Sequence, residues 1–177
     1  MIRTVIADDE LLTRSALVGI LGAEPDIEVV ADCDRAEAVA RIGAHEPDVV
    51  LLGFALPAAD GFSVLADARA LPNRPAVAVL AARVGEECVS VALRLGAEGF
   101  LLKDMAPEQL VHPVRILAGG GGVLAPVVGR QVIDGYLATH PFLTGLPQSW
   151  SEAGPPTPYQ MAQETGQGPD PLSGSGP

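Results

Sequence analysis

Two adjacent acids, Asp8 and Asp9, follow a short apolar segment near the N-terminus. Paired carboxylates can hold a hard cation such as Mg²⁺, which accepts one or two protein carboxylates and keeps several waters. Such a cation commonly serves phosphoryl transfer, because it neutralises charge on the moving group. Lys103, the only lysine of the chain, could serve the same charge. These residue types predict a site for phosphate chemistry, with a solvated helix cap as the alternative role of the two acids.

Five β-α repeats are predicted around these residues. Short apolar segments predict strands at 3–7, 27–31, 76–80 and 99–102 and in the run that ends at Gly53, and each is followed by apolar residues at helical spacing. This alternation predicts an α/β fold, a doubly wound parallel sheet with helices on both faces. The functional crevice of such a sheet lies at the carboxyl ends of the strands. Those ends are Asp8 and Asp9, Gly53, Ala81 and Lys103.

The rest of the chain divides into a linker and a tail. We predict one domain over 1–118, then a glycine linker and short helix over 119–140, and then a tail over 141–177. The tail has eight prolines, six glycines and neither Lys nor Arg, a composition typical of disorder. Pro113 lies inside the helix predicted to end near Ala118 and cannot donate to the carbonyl of Gln109. We therefore expect a kink or early fraying there.

Bulk composition excludes several classes of protein. The net charge of −11 argues against a general nucleic-acid surface, which needs clustered Lys and Arg. No apolar run approaches the twenty residues of a membrane span, and the start MIRTVIADDE has no secretory pattern, so we expect a cytoplasmic protein. The two cysteines lack metal-ligand spacing. Cys88 shares an apolar helical stripe with Val91, Ala92 and Leu95, which favours a place in the core.

Several spaced motifs together carry a family resemblance. They are VIADDE, DVVLL with Pro57 and Gly61 behind it, GAEGFLLKD, PEQL and GGxLAP. The chain resembles, over residues 1 to about 138, the response-regulator receiver domains of bacterial two-component signalling, and within them the NarL type, whose members end in a LuxR-type helix-turn-helix. The resemblance implies a flavodoxin-like (CheY-like) five-stranded sheet of order 2-1-3-4-5. It also implies that Asp8 and Asp9 are metal-binding acids, that Lys103 pairs with phosphate, and that Phe100 is the aromatic switch residue.

The chain departs from the family at two positions of that site. The phosphoacceptor aspartate is expected four residues before Pro57, where this chain has Gly53, and the switch hydroxyl is expected at Ala81. Without a carboxylate at 53 there is neither a nucleophile for the phosphoryl group nor a third metal ligand. We therefore expect no phosphorylation at the usual position, and either no cofactor or weakly bound Mg²⁺. We expect Asp60, the nearest other acid, to cap a helix rather than to replace the acceptor.

The leading hypothesis is a degenerate receiver that acts through protein-protein interaction. In place of the basic DNA-binding module of the subfamily stands LTGLPQSWSEAGPP and a tail without positive charge, either a natural replacement or a shifted reading frame. We expect protein partners, among them a homodimer through residues 86–117, the segment that corresponds to the family's dimer face. Direct DNA binding is not expected, and the cognate histidine kinase is not revealed.

Two other hypotheses stay open. A small effector could occupy the space and lost charge at Gly53 and Ala81, which would make the chain a ligand sensor. An enzyme, such as a flavin protein on the same architecture, ranks last, because Asp8, Asp9 and Glu10 would repel a flavin phosphate.

Overall fold

A computed structural model of the chain describes residues 1–54, 60–83, 85–106 and 108–139. Strands and helices alternate along these residues. Their bounds are β1 Ile2–Ala7, α1 Leu11–Gly22, β2 Ile27–Cys33, α2 Ala38–His45, β3 Val49–Phe54, α3 Asp60–Ala70, β4 Ala76–Ala81, α4 Glu86–Arg94, β5 Gly99–Leu102, α5 Glu108–Ala118, β6 Val123–Leu124 and α6 Pro126–Thr139.

The strands form one parallel sheet. Within the described residues its order is β2-β1-β3-β4-β5-β6, so the predicted doubly wound fold and the order 2-1-3-4-5 are confirmed. Six strands stand where five were predicted, because Val123 and Leu124 pair with Gly99 and Phe100 at the edge of β5. A strand of two residues is too short for an alternating pattern to reveal it. The central strand β3 is buried along its whole length, as expected of a strand covered on both faces.

Helices cover the two faces of the sheet with two separate apolar layers. Alternate strand residues point to opposite faces, so Ile6 and Val5 of β1 belong to different layers. The layer under α1 and α5 contains Leu17, Leu21, Val114 and Leu117. The layer under α2, α3 and α4 contains Ile42, Leu65, Ala92, Phe54 and Phe100. This two-sided burial fixes the ends of the strands relative to one another.

Helix α5 continues through Pro113 to Ala118. Of the kink or early fraying expected at Pro113, the fraying is therefore wrong, and the kink stays a prediction. Val114 and Leu117 are fully or almost fully buried against the sheet. Packing of this face holds the last turns of the helix in place although Pro113 supplies no N–H, since most helical stability in proteins comes from such burial.

The predicted core position of Cys88 is confirmed, with one difference on the α4 stripe. Cys33 and Cys88 are both free and buried. Burial raises the pKa of the Cys33 thiol to about 11 and also raises that of Cys88, so neither thiol is activated. Ala92 is buried beside Cys88, whereas Val91 is 40% exposed. The apolar stripe is narrow, and Val91 lies at its outer side.

The chain divides into two compact units, Met1–Ile133 and Asp134–Pro177. The described part of the second unit is residues 134–139, the end of α6, so the predicted tail at 141–177 lies outside the described residues. The predicted division at 118 stays a prediction. Among the described helices none is long and apolar enough to cross a membrane.

Candidate functional site

The carboxyl ends of β1, β3, β4 and β5 lie side by side at one edge of the sheet. Gly53 pairs with Leu80, which aligns the ends of β3 and β4. Lys103 follows β5 and donates its backbone N–H to the carbonyl of Ala81 at 2.9 Å. Asp8 follows the last residue of β1, the neighbour of β3. The parallel arrangement thus brings Asp8, Gly53, Ala81 and Lys103 to the same edge, because parallel strands end on the same side.

A buried ion pair joins Asp8 to Lys103. The ammonium nitrogen lies 2.7 Å from Asp8 Oδ2 and donates a hydrogen bond to Oδ1 at 3.0 Å. The two side chains are only 2% and 9% exposed. Oδ1 also accepts the backbone N–H of Glu10 at 2.9 Å, and the Glu10 carboxylate lies 3.3 Å from the same ammonium. The Oδ2 contact lacks hydrogen-bond geometry, so charge alone stabilises that oxygen.

The side chain of Asp8 fills the space directly beside Gly53. A Cβ placed on Gly53 would lie 2.8 Å from the Cβ of Asp8 and would overlap its carboxylate. Real Cβ atoms do not come this close to another heavy atom, so one of the two residues would have to move. The acidic group at this edge is therefore supplied by β1 rather than by β3, and the absence of a side chain at 53 is what makes room for it.

Asp9 is bound by the turn that follows β2. Its Oδ1 accepts the backbone N–H of Arg35 at 3.0 Å, and its Oδ2 accepts the guanidinium Nε at 2.6 Å, with the Nη2 group of Arg35 also in contact. These hydrogen bonds hold the pKa of Asp9 below its usual range, because they stabilise the carboxylate form. Asp9 is 46% exposed, in contrast to buried Asp8. The two adjacent acids thus have different partners.

Phe100 and Ala81 are both fully buried. Ala81 ends β4 and pairs with Leu102, while Phe100 lies in the layer under α2, α3 and α4. The Phe100 carbonyl accepts the N–H of Ala125 at 2.8 Å, which ties β5 to the segment behind β6. A methyl group therefore stands at the position where the resemblance implies a hydroxyl. The switch roles proposed for these residues stay predictions.

Two arginines of this edge were not singled out from the sequence. Arg14 donates from Nη1 to the Asp8 carbonyl at 2.5 Å, and its Nε lies 3.5 Å from the Asp32 carboxylate. Arg35 is the partner of Asp9. A signal was available for Arg35, because it follows β2, and the implied strand order sets the end of β2 beside the end of β1. Nothing in the spacing of Arg14 distinguishes it from a surface residue of α1.

The residues present do not fit a resident Mg²⁺. Asp8 is paired with the Lys103 ammonium, Asp9 is bound by Arg35, and Gly53 supplies no oxygen ligand. No group of three His, Cys, Asp or Glu able to hold a metal ion occurs within the described stretches of the chain. A divalent cation at Asp8 would have to displace the ammonium group, whose charge has the same sign. Asp8 and Asp9 as metal ligands stay a prediction of the resemblance.

A doubly wound parallel sheet of this order, with an acid after β1 and a lysine after β5 at its carboxyl edge, defines a receiver-type α/β domain. The family model of the response regulator receiver domain matches residues 4–115, more than half of the chain. The chain belongs to this family. Receiver domains interact with histidine kinases and with other proteins of two-component systems.

The similar proteins are transcriptional regulators of the NarL and LuxR type. DegU of Brevibacillus brevis is 35% identical over 136 residues, which are 76% of this chain and 58% of DegU. NarL of Mycobacterium tuberculosis is 39% identical over 128 residues, 71% of this chain and 58% of NarL. The chain thus spans less than two thirds of the length of these relatives.

Solved structures agree with the fold. The signal receiver domain of NarL from Mycobacterium tuberculosis has a TM-score of 0.62 at 38% identity, and the match covers 67% of this chain and 97% of that one. A LuxR-family response regulator from Aurantimonas has a TM-score of 0.70 at 21% identity over 77% of this chain and 99% of that one. At that identity the second likeness is one of fold alone.

Proposed function

We propose that the chain is an atypical receiver module in a two-component, phosphorelay pathway of transcription regulation. It acts in the cytoplasm by binding other proteins, catalyses no reaction of its own, and is not phosphorylated at the usual position. The observation that carries this proposal is Gly53 itself, which stands near the carboxyl end of β3 without a carboxylate, while the Asp8 carboxylate occupies the space where a Cβ of residue 53 would lie.

The chemistry of the edge supports this function. Phosphoryl transfer to a receiver needs a carboxylate nucleophile, and Gly53 has none. Asp8 is close to the same place, but it is 2% exposed and paired with Lys103, so it is not available to an incoming phosphodonor. Ala81 has no hydroxyl to couple a phosphate to movement of Phe100. The surface of the domain is therefore fixed rather than switched.

The experiment is a phosphorylation assay on the full chain. The protein is incubated with acetyl phosphate and Mg²⁺ and resolved on a phosphate-retarding gel, with the receiver domain of a relative that has the acceptor aspartate as the positive control. We expect no retarded species. Stoichiometric acid-labile phosphate on any aspartate of this chain would refute the proposal.

The partners proposed here are inferred from the membership of the chain in the receiver family. We propose a homodimer through residues 86–117, a histidine kinase or another signalling protein as a further partner, and no direct contact with DNA. The charge of −11 supports the last point, since backbone binding needs clustered cations. A mobility-shift assay at low salt tests it, and a shift that weakens steeply with added salt would contradict it.

The effector-sensing hypothesis has weaker support than the interaction hypothesis. It depends on free space beside Gly53, and the carboxylate of Asp8 lies in that space. A truncated or frame-shifted DNA-binding regulator is the other alternative, and the reading frames next to the coding region would test it.

A further inference from the structure

The Lys103 ammonium lies among three carboxylate oxygens. Its nitrogen is 2.7 Å and 3.0 Å from the two oxygens of Asp8 and 3.3 Å from Oε1 of Glu10. The Lys103 side chain is only 9% exposed. This ammonium is therefore a fixed part of the site rather than a mobile surface charge.

A divalent cation would need the same oxygens that the ammonium contacts. Mg²⁺ and Mn²⁺ are bound by carboxylates and waters, and Mg²⁺ requires oxygen ligands at about 2.0–2.1 Å. Asp8 Oδ2 is the buried oxygen without a hydrogen bond, and it already faces the ammonium. Asp9, the other acid, has both oxygens engaged by Arg35. The site holds a cation already, and that cation is a side chain.

We propose that Lys103 is the permanent counter-cation of this edge, that the native chain consequently excludes divalent cations, and that removal of the ammonium turns Asp8 and Glu10 into a divalent-cation site. The proposal rests on the ion pair of Asp8 and Lys103. Its test does not depend on whether the chain is phosphorylated. It also gives Lys103 a role in this chain that needs no phosphate.

The test measures binding of Mn²⁺ to the full chain by the loss of the free-ion signal in electron paramagnetic resonance. The native chain is expected to show no saturable binding, whereas Lys103→Met and Lys103→Gln each gain one site, which the added change Asp8→Asn removes. Arg41→Met is the matched control, because it removes one positive charge, that of the surface pair Arg41–Glu37, and leaves the partners of Asp8 and Asp9 in place. It is expected to gain no comparable site.

Each outcome of this test has a defined meaning. One saturable Mn²⁺ site in the native chain that Asp8→Asn abolishes would overturn the proposal, as would a gain in Arg41→Met equal to that in the Lys103 variants. Folded Lys103 variants without a gain would overturn it too. If both Lys103 variants are unfolded without metal, folding on addition of Mn²⁺ but not of Na⁺ supports the proposal, because binding to the native state alone stabilises it. Failure of Mn²⁺ to fold them counts against it.

Discussion

Gly53 and Asp8 lie side by side at the end of the sheet, and with Asp8 in its present position a Cβ on Gly53 would overlap the Asp8 carboxylate. The burial of Asp8 is compatible with a charge because Lys103 and the Glu10 N–H both contact the carboxylate. Burial of a carboxylate without such partners would cost free energy. The Asp8 carboxylate therefore depends on both the Lys103 ammonium and the Glu10 N–H. The glycine is thus as necessary to this arrangement as the two charges.

The substitution Gly53→Ala is expected to lower the free energy of unfolding by about 1–3 kcal/mol, because the added methyl group meets Asp8 in a closely packed edge. Gly19→Ala is the matched control. Gly19 lies within α1, where an added Cβ has nothing within 4 Å, so this change is expected to raise stability by about 0.5–1 kcal/mol. Urea denaturation measures both. A Gly53→Ala variant as stable as the native chain would show that Asp8 does not occupy this space in solution.

Residue types at the strand ends could be predicted from the sequence, but their pairing could not. The β-α repeats place Asp8, Gly53 and Lys103 at one edge, because parallel strands end together. Which of Asp8 and Asp9 turns inward depends on side-chain rotamers and on Arg35, a residue from a different turn. Such contacts between distant turns leave no period or spacing in the sequence.

The turn between β2 and α2 is held to the site through one ion pair, that of Arg35 with Asp9. Arg35 lowers the pKa of Asp9 below the ordinary value of 3.8. A carboxyl group whose pKa is lower in the folded state than in the unfolded state stabilises the fold at pH values above its unfolded-state pKa. This contribution is lost as the pH falls below about 4. Because Asp9 is 46% exposed, solvent screens the interaction and its effect on global stability is small.

Arg35→Met is therefore expected to raise the pKa of Asp9 towards its ordinary value and to lower the free energy of unfolding at neutral pH by about 1 kcal/mol or less. An NMR titration of the side-chain carboxyl carbons measures the pKa. Arg41→Met is the control, since Arg41 pairs with Glu37 on the surface of α2, so this change should leave Asp9 unaffected. An unchanged pKa of Asp9 in Arg35→Met would contradict the pairing.

Helix α5 contains a defect that a single substitution can remove. Pro113→Ala restores an N–H opposite the Gln109 carbonyl, which relieves a cost of up to about 3 kcal/mol for proline inside a helix. The buried ring is lost and the unfolded chain gains freedom, and both effects offset part of the gain. We expect a net rise in the free energy of unfolding of about 1 kcal/mol by urea denaturation. His112→Ala, an exposed neighbour, should change it by less than about 0.5 kcal/mol. A less stable Pro113→Ala would show that the ring contributes more by packing than its missing N–H costs.

At the scale of elements the sequence predicts strands better than the limits of helices. The apolar runs before Asp8 and at Gly53 lie where the strands are, because a strand buried on both faces must be apolar throughout. Fraying at Pro113 was wrongly expected, since a local rule ignores the burial of Val114 and Leu117 that holds the last turns of α5 in place. The short strand β6 was missed because only its pairing with Gly99 and Phe100 defines it.

The exposed side chains of the described part of residues 86–117 are mainly small or polar, so the segment offers little apolar surface for pairing with a second copy. Arg115 is already bound within the chain, with Nε and Nη2 at 2.8 Å and 2.6 Å from the Asp26 carboxylate and Nη2 at 2.7 Å from Glu24. Val91 is the large apolar side chain that is exposed among the described residues of this segment. If the proposed homodimer forms, Val91 is the side chain most suited to its apolar centre.

Val91→Asp is therefore expected to weaken the proposed homodimer at least tenfold, which corresponds to about 1.4 kcal/mol, because it sets a charge into an apolar contact. Sedimentation velocity over a range of protein concentrations measures the dissociation constant of the full chain. Leu12→Asp is the matched control, because Leu12 is 85% exposed on α1 and lies outside residues 86–117. This substitution should leave the dimer intact. Dissociation by Leu12→Asp but not by Val91→Asp would move the interface to α1. A native chain that stays monomeric at every concentration would leave the domain to act only through unlike partners.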